Sequence, residues 1–119
     1  MHSHYGGKSL HKVSHGEAFI ALVQNRFHDE SLFILDEPEA ALSPARQFVL
    51  IKEMHWLVQS GCQFIIATHS PILMAYPEST IYWLDESGIQ PREWEDLEHV
   101  ELTKSFLDNP RTFLRHLLQ

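Results

Sequence analysis

The sequence predicts an α/β fold in which parallel strands are flanked by helices, with a β-hairpin and further helices towards the C-terminus. Two short apolar runs, 32–35 and 64–67, have the composition of buried strands, because a half-exposed strand would alternate apolar and polar residues. A stretch with helical spacing separates the two runs, as a parallel crossover requires. Aromatic and β-branched residues at 80–84 and 89–94 flank a glycine-containing turn, which predicts the hairpin.

Composition limits the classes of function. A chain of 119 residues corresponds to about one domain and is long enough to bury a core. The net charge of −7 argues against a broad nucleic-acid-binding surface. Cys62 is the only cysteine, which excludes an intramolecular disulfide and fits a reducing compartment. No apolar run approaches the length of a membrane span and no signal-peptide core is present, so we expect a cytoplasmic protein without membrane contact.

Residues 1–13 are polar and rich in histidine and glycine, and we expect them to form a flexible N-terminal segment. The histidines have no compact metal-ligand spacing. Gly7-Lys8-Ser9 is not a phosphate-binding loop, because G-x-x-x-x-G-K-S/T needs a glycine where His2 stands and a strand before it. The folded domain is therefore expected to span residues 14–119.

A helix is expected to begin at Ser14. Ser14 is a good N-cap, and Glu17 three residues later completes a capping box before a run of apolar residues at helical spacing. This pattern has a purely structural explanation. A helix N-terminus with a hydroxyl and the small residue Gly16 also suits a phosphate group.

The central predicted strand, 32–35, runs directly into Asp36, Glu37 and Pro38. Ligands of open α/β sheets usually bind at the carboxyl ends of strands. Of two adjacent carboxylates there, one can hold a divalent metal ion and the next can polarise a water molecule. The alternative is a strand followed by an acidic turn without chemical function.

The next helix is expected to begin after Ser43, an N-cap followed by Pro44, and to run to about Val58, with Gly61 terminating it. Its apolar face is predicted to consist of Phe48, Ile51, Met54 and Val58, with Leu50 and Leu57 beside it. The second apolar run, at 64–67, is expected to be another buried strand. His69 follows it, and is therefore expected to face the same crevice as Asp36 and Glu37.

The C-terminal third carries less chemical information. Pro91 confines the second hairpin strand to a sheet edge, since proline cannot donate a ladder hydrogen bond. The aromatic residues of this region are expected to pack across the hairpin. One helix is predicted to end before Asn109-Pro110, and Asn109 is expected to cap a last short helix.

Four motifs in this order resemble the C-terminal half of ABC-type ATPase domains. Residues 14–17 are similar to a divergent ABC signature, 32–38 to a Walker B strand with its catalytic glutamate, 39–43 to a D-loop, and 68–71 to an H-switch. The pattern is most similar to AAA-family ATPases of the RecF, SMC and OLD-like group. The resemblance implies the fold of a partial, three-layer P-loop NTPase-like domain. The signature departs from the usual LSGGQ, with His15 replacing a glycine and Glu17 the glutamine.

The resemblance also implies roles for individual residues. Asp36 would hold Mg²⁺, Glu37 would orient or deprotonate the attacking water, and His69 would contact the γ-phosphate of ATP. Ser14 and Gly16 would contact the γ-phosphate of ATP bound to a partner protomer.

Glu17 and Ser43 would belong to the same nucleotide-contacting surface. The segment Ala41–Ser43 would lie along the seam between protomers, and Ser14 would lie far from the strand ends.

The chain contains no Walker A loop. We therefore expect it to be an ATPase fragment that does not hydrolyse ATP without a missing N-terminal half or a second protomer. Removing the Walker A strand would leave unpaired strand edges, which favours a homo-oligomer or pairing with that missing half. Nucleic acid would be bound only through the complete protein.

Two alternatives remain open on the sequence. The chain could be a non-catalytic binding or structural module that keeps the ATPase scaffold. It could instead be a metal-dependent phosphoesterase that uses Asp36, Glu37, Glu39 and His69 directly.

Overall fold

The computed structural model describes residues 31–119 and the backbone of residues 9–13. The chain divides into two compact units, Met1–Leu73 and Met74–Gln119. The helix predicted to begin at Ser14 lies outside the described residues. In the described part of the chain, each helix is too short or too polar to cross a membrane.

The first unit contains a parallel sheet of three strands in the order β1-β2-β3. The strands are β1 (Ser9–Val13), β2 (Ser31–Asp36) and β3 (Gln63–Ala67). The predicted parallel pairing of the two apolar runs is confirmed, with Asp36 opposite Ala67. Both edges of β2 are paired, so it is the central strand of this sheet.

The expectation of a flexible segment over residues 1–13 is wrong for residues 9–13, which form β1. These residues pair in parallel with β2, from Ser9 opposite Ser31 to Val13 opposite Leu35. The ladder supplies the backbone hydrogen bonds that a solvated segment would make with water, and it covers an edge of β2 that would otherwise be unpaired. The polar composition of the segment concealed this contribution.

Helix α1 (Pro44–Gln59) connects β2 to β3 and follows a 3₁₀ turn at Pro38–Ala41. Both predicted boundaries of the helix are confirmed. The Ser43 hydroxyl oxygen accepts a hydrogen bond from the Arg46 backbone N–H at 3.2 Å. Gly61 follows the helix with a φ of 101°, a left-handed conformation that glycine adopts without strain.

The core of the first unit lies between α1 and the sheet. Its apolar members are Phe33, Leu35, Leu42, Leu50, Met54, Leu57, Cys62 and Leu73. The predicted apolar face of α1 is partly wrong, because the buried residues of the helix are Gln47, Leu50, Met54 and Leu57. Phe48 is 60% exposed. The polar Gln47 at one end of the buried stripe concealed the true face of the helix.

Strand β3 is only half-buried, contrary to prediction. Phe64 and Ile66 pack against the core, whereas Ile65 on the opposite face is 54% exposed. Alternate side chains of a strand lie on opposite faces, so the core covers only one of them. Among the described residues, β3 is also an edge strand, paired with β2 alone.

The second unit contains the predicted hairpin and two helices. Strands β4 (Ile81–Asp85) and β5 (Gly88–Arg92) pair antiparallel, and helices α2 (Glu98–Asp108) and α3 (Pro110–Leu117) follow. Asn109 caps α3 as predicted, since its side-chain oxygen accepts the Thr112 N–H at 3.2 Å.

The hairpin turn is closed by Asp85, whose carboxylate accepts hydrogen bonds from the Ser87 hydroxyl at 2.6 Å and the Ser87 N–H at 2.9 Å. These bonds hold the pKa of Asp85 below its usual value of 3.8. The predicted aromatic packing is found for Trp83, which lies 5.3 Å from the His99 ring and carries the Arg92 guanidinium 5.6 Å from its ring centre. Tyr82 is instead 60% exposed.

Candidate functional site

The candidate site lies where β2 and β3 end side by side. Asp36 is the last residue of β2 and pairs with Ala67, the last residue of β3. The backbones of the two strands remain hydrogen-bonded one residue beyond β2, since the Glu37 N–H donates to the Ala67 carbonyl at 2.7 Å. This geometry brings the acidic pair beside the residues that follow β3, Thr68 and His69.

Glu37 has an unusual backbone conformation. Its φ of 47° and ψ of 56° lie in the left-handed region, and among the described residues it is the only non-glycine with positive φ. Such a conformation costs an L-residue about 1–2 kcal/mol. Residues held this way often occur at functional sites, where surrounding structure maintains the strain. The buried Pro38 and the 3₁₀ turn after it fix the chain on one side, and the hydrogen bond to Ala67 fixes it on the other.

Three side chains at this place could hold a metal ion. A carboxylate oxygen from each of Glu37 and Glu39 and a ring nitrogen of His69 lie within 4.8 Å of one another. Glu37 and His69 are exposed and Glu39 is half-buried. The oxygen donors, with the exposed Asp36 nearby in sequence, fit a hard cation such as Mg²⁺, whereas the imidazole adds a donor that Zn²⁺ and Mn²⁺ accept more readily.

Glu39 also binds the loop after β3 directly. Its two carboxylate oxygens accept one hydrogen bond each, from the Thr68 hydroxyl at 2.7 Å and from the His69 N–H at 2.9 Å. The Thr68 hydroxyl oxygen in turn accepts the Ser70 N–H at 2.9 Å. Sequence reasoning gave Glu39 a place in the D-loop and in a phosphoesterase alternative, but did not identify this contact.

A buried polar network fixes the other end of the same loop. The Ser70 hydroxyl donates to the Gln47 side-chain oxygen at 2.5 Å and accepts the Leu73 N–H at 3.1 Å. The Gln47 amide nitrogen donates to the Leu42 carbonyl at 3.2 Å. Ser70 lies in the predicted H-switch, but its bond to Gln47 was not predicted, and Gln47 was not identified from the sequence. The available signal was a glutamine in line with Leu50 and Met54 on a helix, a position that requires a specific partner when buried.

The remaining predicted site residues that the structure describes are not part of the cluster of Glu37, Glu39 and His69. Ser43 caps α1, so its hydroxyl oxygen is already an acceptor within the helix start. The side chain of Leu42 is buried in the core, which leaves Ala41 and Ser43 as the exposed residues of the segment predicted to lie at a protomer seam. Ser14, Gly16 and Glu17 lie outside the described residues. The side chains that the structure brings together are therefore those of Glu37, Glu39 and His69, and Asp36 lies beside them in sequence at the end of β2.

Comparison with known families agrees with this location. Residues 16–74, slightly less than half of the chain, match the model of a family described as AAA ATPase domain. The match includes β2, α1, β3 and the candidate site, and it ends one residue beyond the first compact unit. It supports an AAA-family ATPase region over these residues and an ATPase-related function. No curated protein and no solved structure matches the chain.

Proposed function

We propose that the chain carries the water-activating and γ-phosphate-contacting part of an ABC-type ATPase domain, in the RecF, SMC and OLD-like group. In this proposal its sheet is the C-terminal part of a three-layer, P-loop NTPase-like fold. The chain alone does not hydrolyse ATP, because the lysine and backbone amides of a Walker A loop must come from elsewhere.

The observation that carries this proposal is the proximity of Glu37 and His69. The two residues are separated by more than thirty positions in sequence, yet their functional atoms lie within 4.8 Å. Both stand at carboxyl ends of parallel strands, the edge at which nucleotides bind in open α/β sheets. Their association with an AAA ATPase match over the same residues favours nucleotide chemistry over an incidental acidic turn.

The reaction would be phosphoryl transfer to water. The water oxygen forms a bond to the γ-phosphorus, the bond from that phosphorus to the β–γ bridging oxygen breaks, and ADP leaves with the electron pair. Glu37 accepts the proton that the water loses, and His69 donates a hydrogen bond to a γ-phosphate oxygen. Positioning and neutralisation of charge account for most of the catalysis in this class of reaction.

Asp36 is the residue that would hold Mg²⁺. Its exposed carboxylate at the end of β2 fits a cation that prefers oxygen ligands and retains several water molecules. When bound, Mg²⁺ supplies charge neutralisation to the phosphate oxygens. In this proposal Glu37, whose left-handed backbone turns the chain immediately after Asp36, is assigned to the attacking water.

The proposed partner is a polypeptide segment with a Walker A loop, or a second protomer. Among the described residues no further strand pairs with β3 on the side away from β2, and Ile65 on β3 is 54% exposed. A strand added at this edge would cover backbone groups and apolar surface together. Ser14, Gly16, Glu17 and Ser43 are proposed to contact nucleotide across a protomer interface, and nucleic acid is proposed to bind only the complete assembly.

A complementation experiment tests the proposal. We expect the DNA next to the coding segment to encode a G-x-x-x-x-G-K-S/T segment, and co-expression of the two parts to give Mg-dependent ATP hydrolysis. Glu37→Gln should abolish turnover while retaining ATP binding, and the control Glu101→Gln, exposed on α2, should leave turnover unchanged. Micromolar binding of Mg-ATP to the chain alone, measured by calorimetry, would contradict the requirement for a partner. Turnover that survives Glu37→Gln would refute the assigned base.

A metal-dependent phosphoesterase is the second candidate, and the cluster of Glu37, Glu39 and His69 is the observation in its favour. The expected activity is hydrolysis of bis-p-nitrophenyl phosphate with Mn²⁺ or Zn²⁺ and without nucleotide. Its loss in His69→Ala would support this candidate. A chain that neither hydrolyses this ester nor completes an ATPase would instead be a binding or structural module.

A further inference from the structure

Glu39 lies close to Glu37 and His69, the two residues assigned to the proposed reaction. It is hydrogen-bonded to the loop that carries His69. We propose that Glu39 is a positioning residue that holds His69 beside Glu37 and transmits displacement of the 3₁₀ turn to His69. The catalytic meaning of this role rests on the proposed function, but the mechanical link does not.

The link begins with the two carboxylate oxygens of Glu39. One accepts the Thr68 hydroxyl proton and the other accepts the His69 backbone N–H. Hydrogen bonds to an ionised group are about twice as strong as those between neutral groups. Because the Thr68 oxygen also accepts the Ser70 N–H, one carboxylate orders three consecutive residues of the loop.

The turn that carries Glu39 is itself rigid. The Ala40 N–H donates to the Glu37 carbonyl at 3.1 Å, and the Leu42 N–H donates to the Glu39 carbonyl at 3.1 Å. Pro38 is buried, which fixes the start of the turn. Glu37 and Glu39 therefore move as parts of one turn, and the carboxylate of Glu39 holds the backbone of His69 at a fixed place relative to Glu37.

The two ends of the loop are held by different elements. Ser70 is hydrogen-bonded to Gln47 inside the core, where both side chains are buried. Thr68 and His69 are hydrogen-bonded to the half-buried Glu39 of the 3₁₀ turn. A displacement of the turn is therefore transmitted through Glu39 to Thr68 and His69, whereas Ser70 is held from the core.

The test compares Glu39→Ala, Glu39→Gln and Thr68→Val by NMR on the whole chain without nucleotide. The control is Glu101→Ala, which removes an exposed carboxylate from α2 in the other unit. The readouts are amide hydrogen exchange at His69 and Ser70, the His69 amide proton shift, and the His69 ring-proton shift. Core amides such as that of Leu50 report whether the fold as a whole is affected.

In Glu39→Ala we expect exchange at the His69 amide to accelerate about tenfold or more relative to the Leu50 amide, given the strength of hydrogen bonds to charged acceptors. The amide proton should move upfield and the ring proton should shift. Glu39→Gln keeps an oxygen that can accept the His69 N–H, so most of the protection should return. The double variant Glu39→Ala, Thr68→Val should lose no more protection at His69 than Glu39→Ala alone.

Two results would overturn the proposal. In one, the His69 amide and ring signals of Glu39→Ala coincide with those of the unmodified chain. In the other, exchange accelerates equally at every amide, which indicates general destabilisation. If Glu39→Ala does not fold, Thr68→Val, which preserves volume and removes one hydrogen bond to Glu39, decides the question: it should shift the His69 amide and ring signals, and unchanged signals would overturn the proposal. Since no nucleotide is present, failure of the complementation assay with these signals as expected would refute the ATPase function and leave the positioning role standing.

Discussion

Replacement of Glu37 by glycine should stabilise the first unit while removing the proposed catalytic base. The Glu37 backbone has a φ of 47°, its side chain is exposed, and the side chain makes no cap hydrogen bond in the turn. Glycine removes a left-handed penalty of about 1–2 kcal/mol but adds about 0.5–1 kcal/mol of unfolded-state entropy. Taking the middle of each range, the expected net stabilisation is about 0.5–1 kcal/mol.

The matched comparison is Glu37→Ala, which removes the same carboxylate but retains Cβ. Loss of negative charge beside Glu39 affects both variants equally, so the difference between glycine and alanine isolates the backbone term. Urea unfolding followed by circular dichroism measures it. With a slope of about 1 kcal/mol per molar, the midpoint of the glycine variant should lie about 0.5–1 M above that of the alanine variant.

An equal or lower midpoint for the glycine variant would refute the reasoning, because it would mean that Glu37 is not strained in the folded chain. A higher midpoint would show that the residue at this position is retained at the expense of stability. Such a cost is expected where a side chain is required for function.

Further predictions concern the polar network, the hairpin and the outer edge of β3. Ser70→Ala leaves the buried Gln47 oxygen and the Leu73 N–H without their partner and should destabilise by about 1–3 kcal/mol, whereas Ser60→Ala, at an exposed helix end, should change the urea midpoint little. Asp85 has a lowered pKa from its Ser87 hydrogen bonds, so its stabilisation is complete above its usual value of 3.8 and is lost as the pH falls through the folded-state pKa. The stability advantage over Asp85→Asn should accordingly be constant near pH 7 and vanish in strong acid, and an advantage that persists there would contradict this cause. Ile65→Lys should reduce any concentration-dependent association seen by analytical ultracentrifugation, whereas Phe48→Lys, at an equally exposed helical site, should not. Association unaffected by Ile65→Lys would show that the β3 edge is not the contact.

Local sequence rules predicted most of the described elements. Ser43 with Pro44, Gly61, and Asn109 with Pro110 mark helix boundaries through backbone chemistry that depends only on neighbouring residues, and the structure agrees at each. The incorrect predictions concern features that depend on contacts between residues distant in sequence. Residues 9–13 form β1 because they pair with the edge of β2, and no pattern within these residues predicts that pairing.

The candidate site also has parts that the sequence predicts and parts that depend on tertiary contacts. The convergence of Glu37 and His69 followed from one topological rule, that carboxyl ends of parallel strands share an edge, and their functional atoms are observed close together. Their catalytic roles remain predictions. The contribution of Glu39 could not be derived, because its contacts depend on how a 3₁₀ turn places a side chain against a loop about thirty residues away.

The single cysteine offers an experimental handle that needs no engineering. Cys62 is 7% exposed and lies immediately before β3, with its backbone N–H donating to the Leu57 carbonyl at 2.9 Å. Because this residue is buried, a thiol-reactive dye should reach its sulfur when the structure around the end of α1 opens. The rate of labelling under native conditions therefore reports directly on how often the β2–β3 half of the molecule opens, free of any background from other thiols.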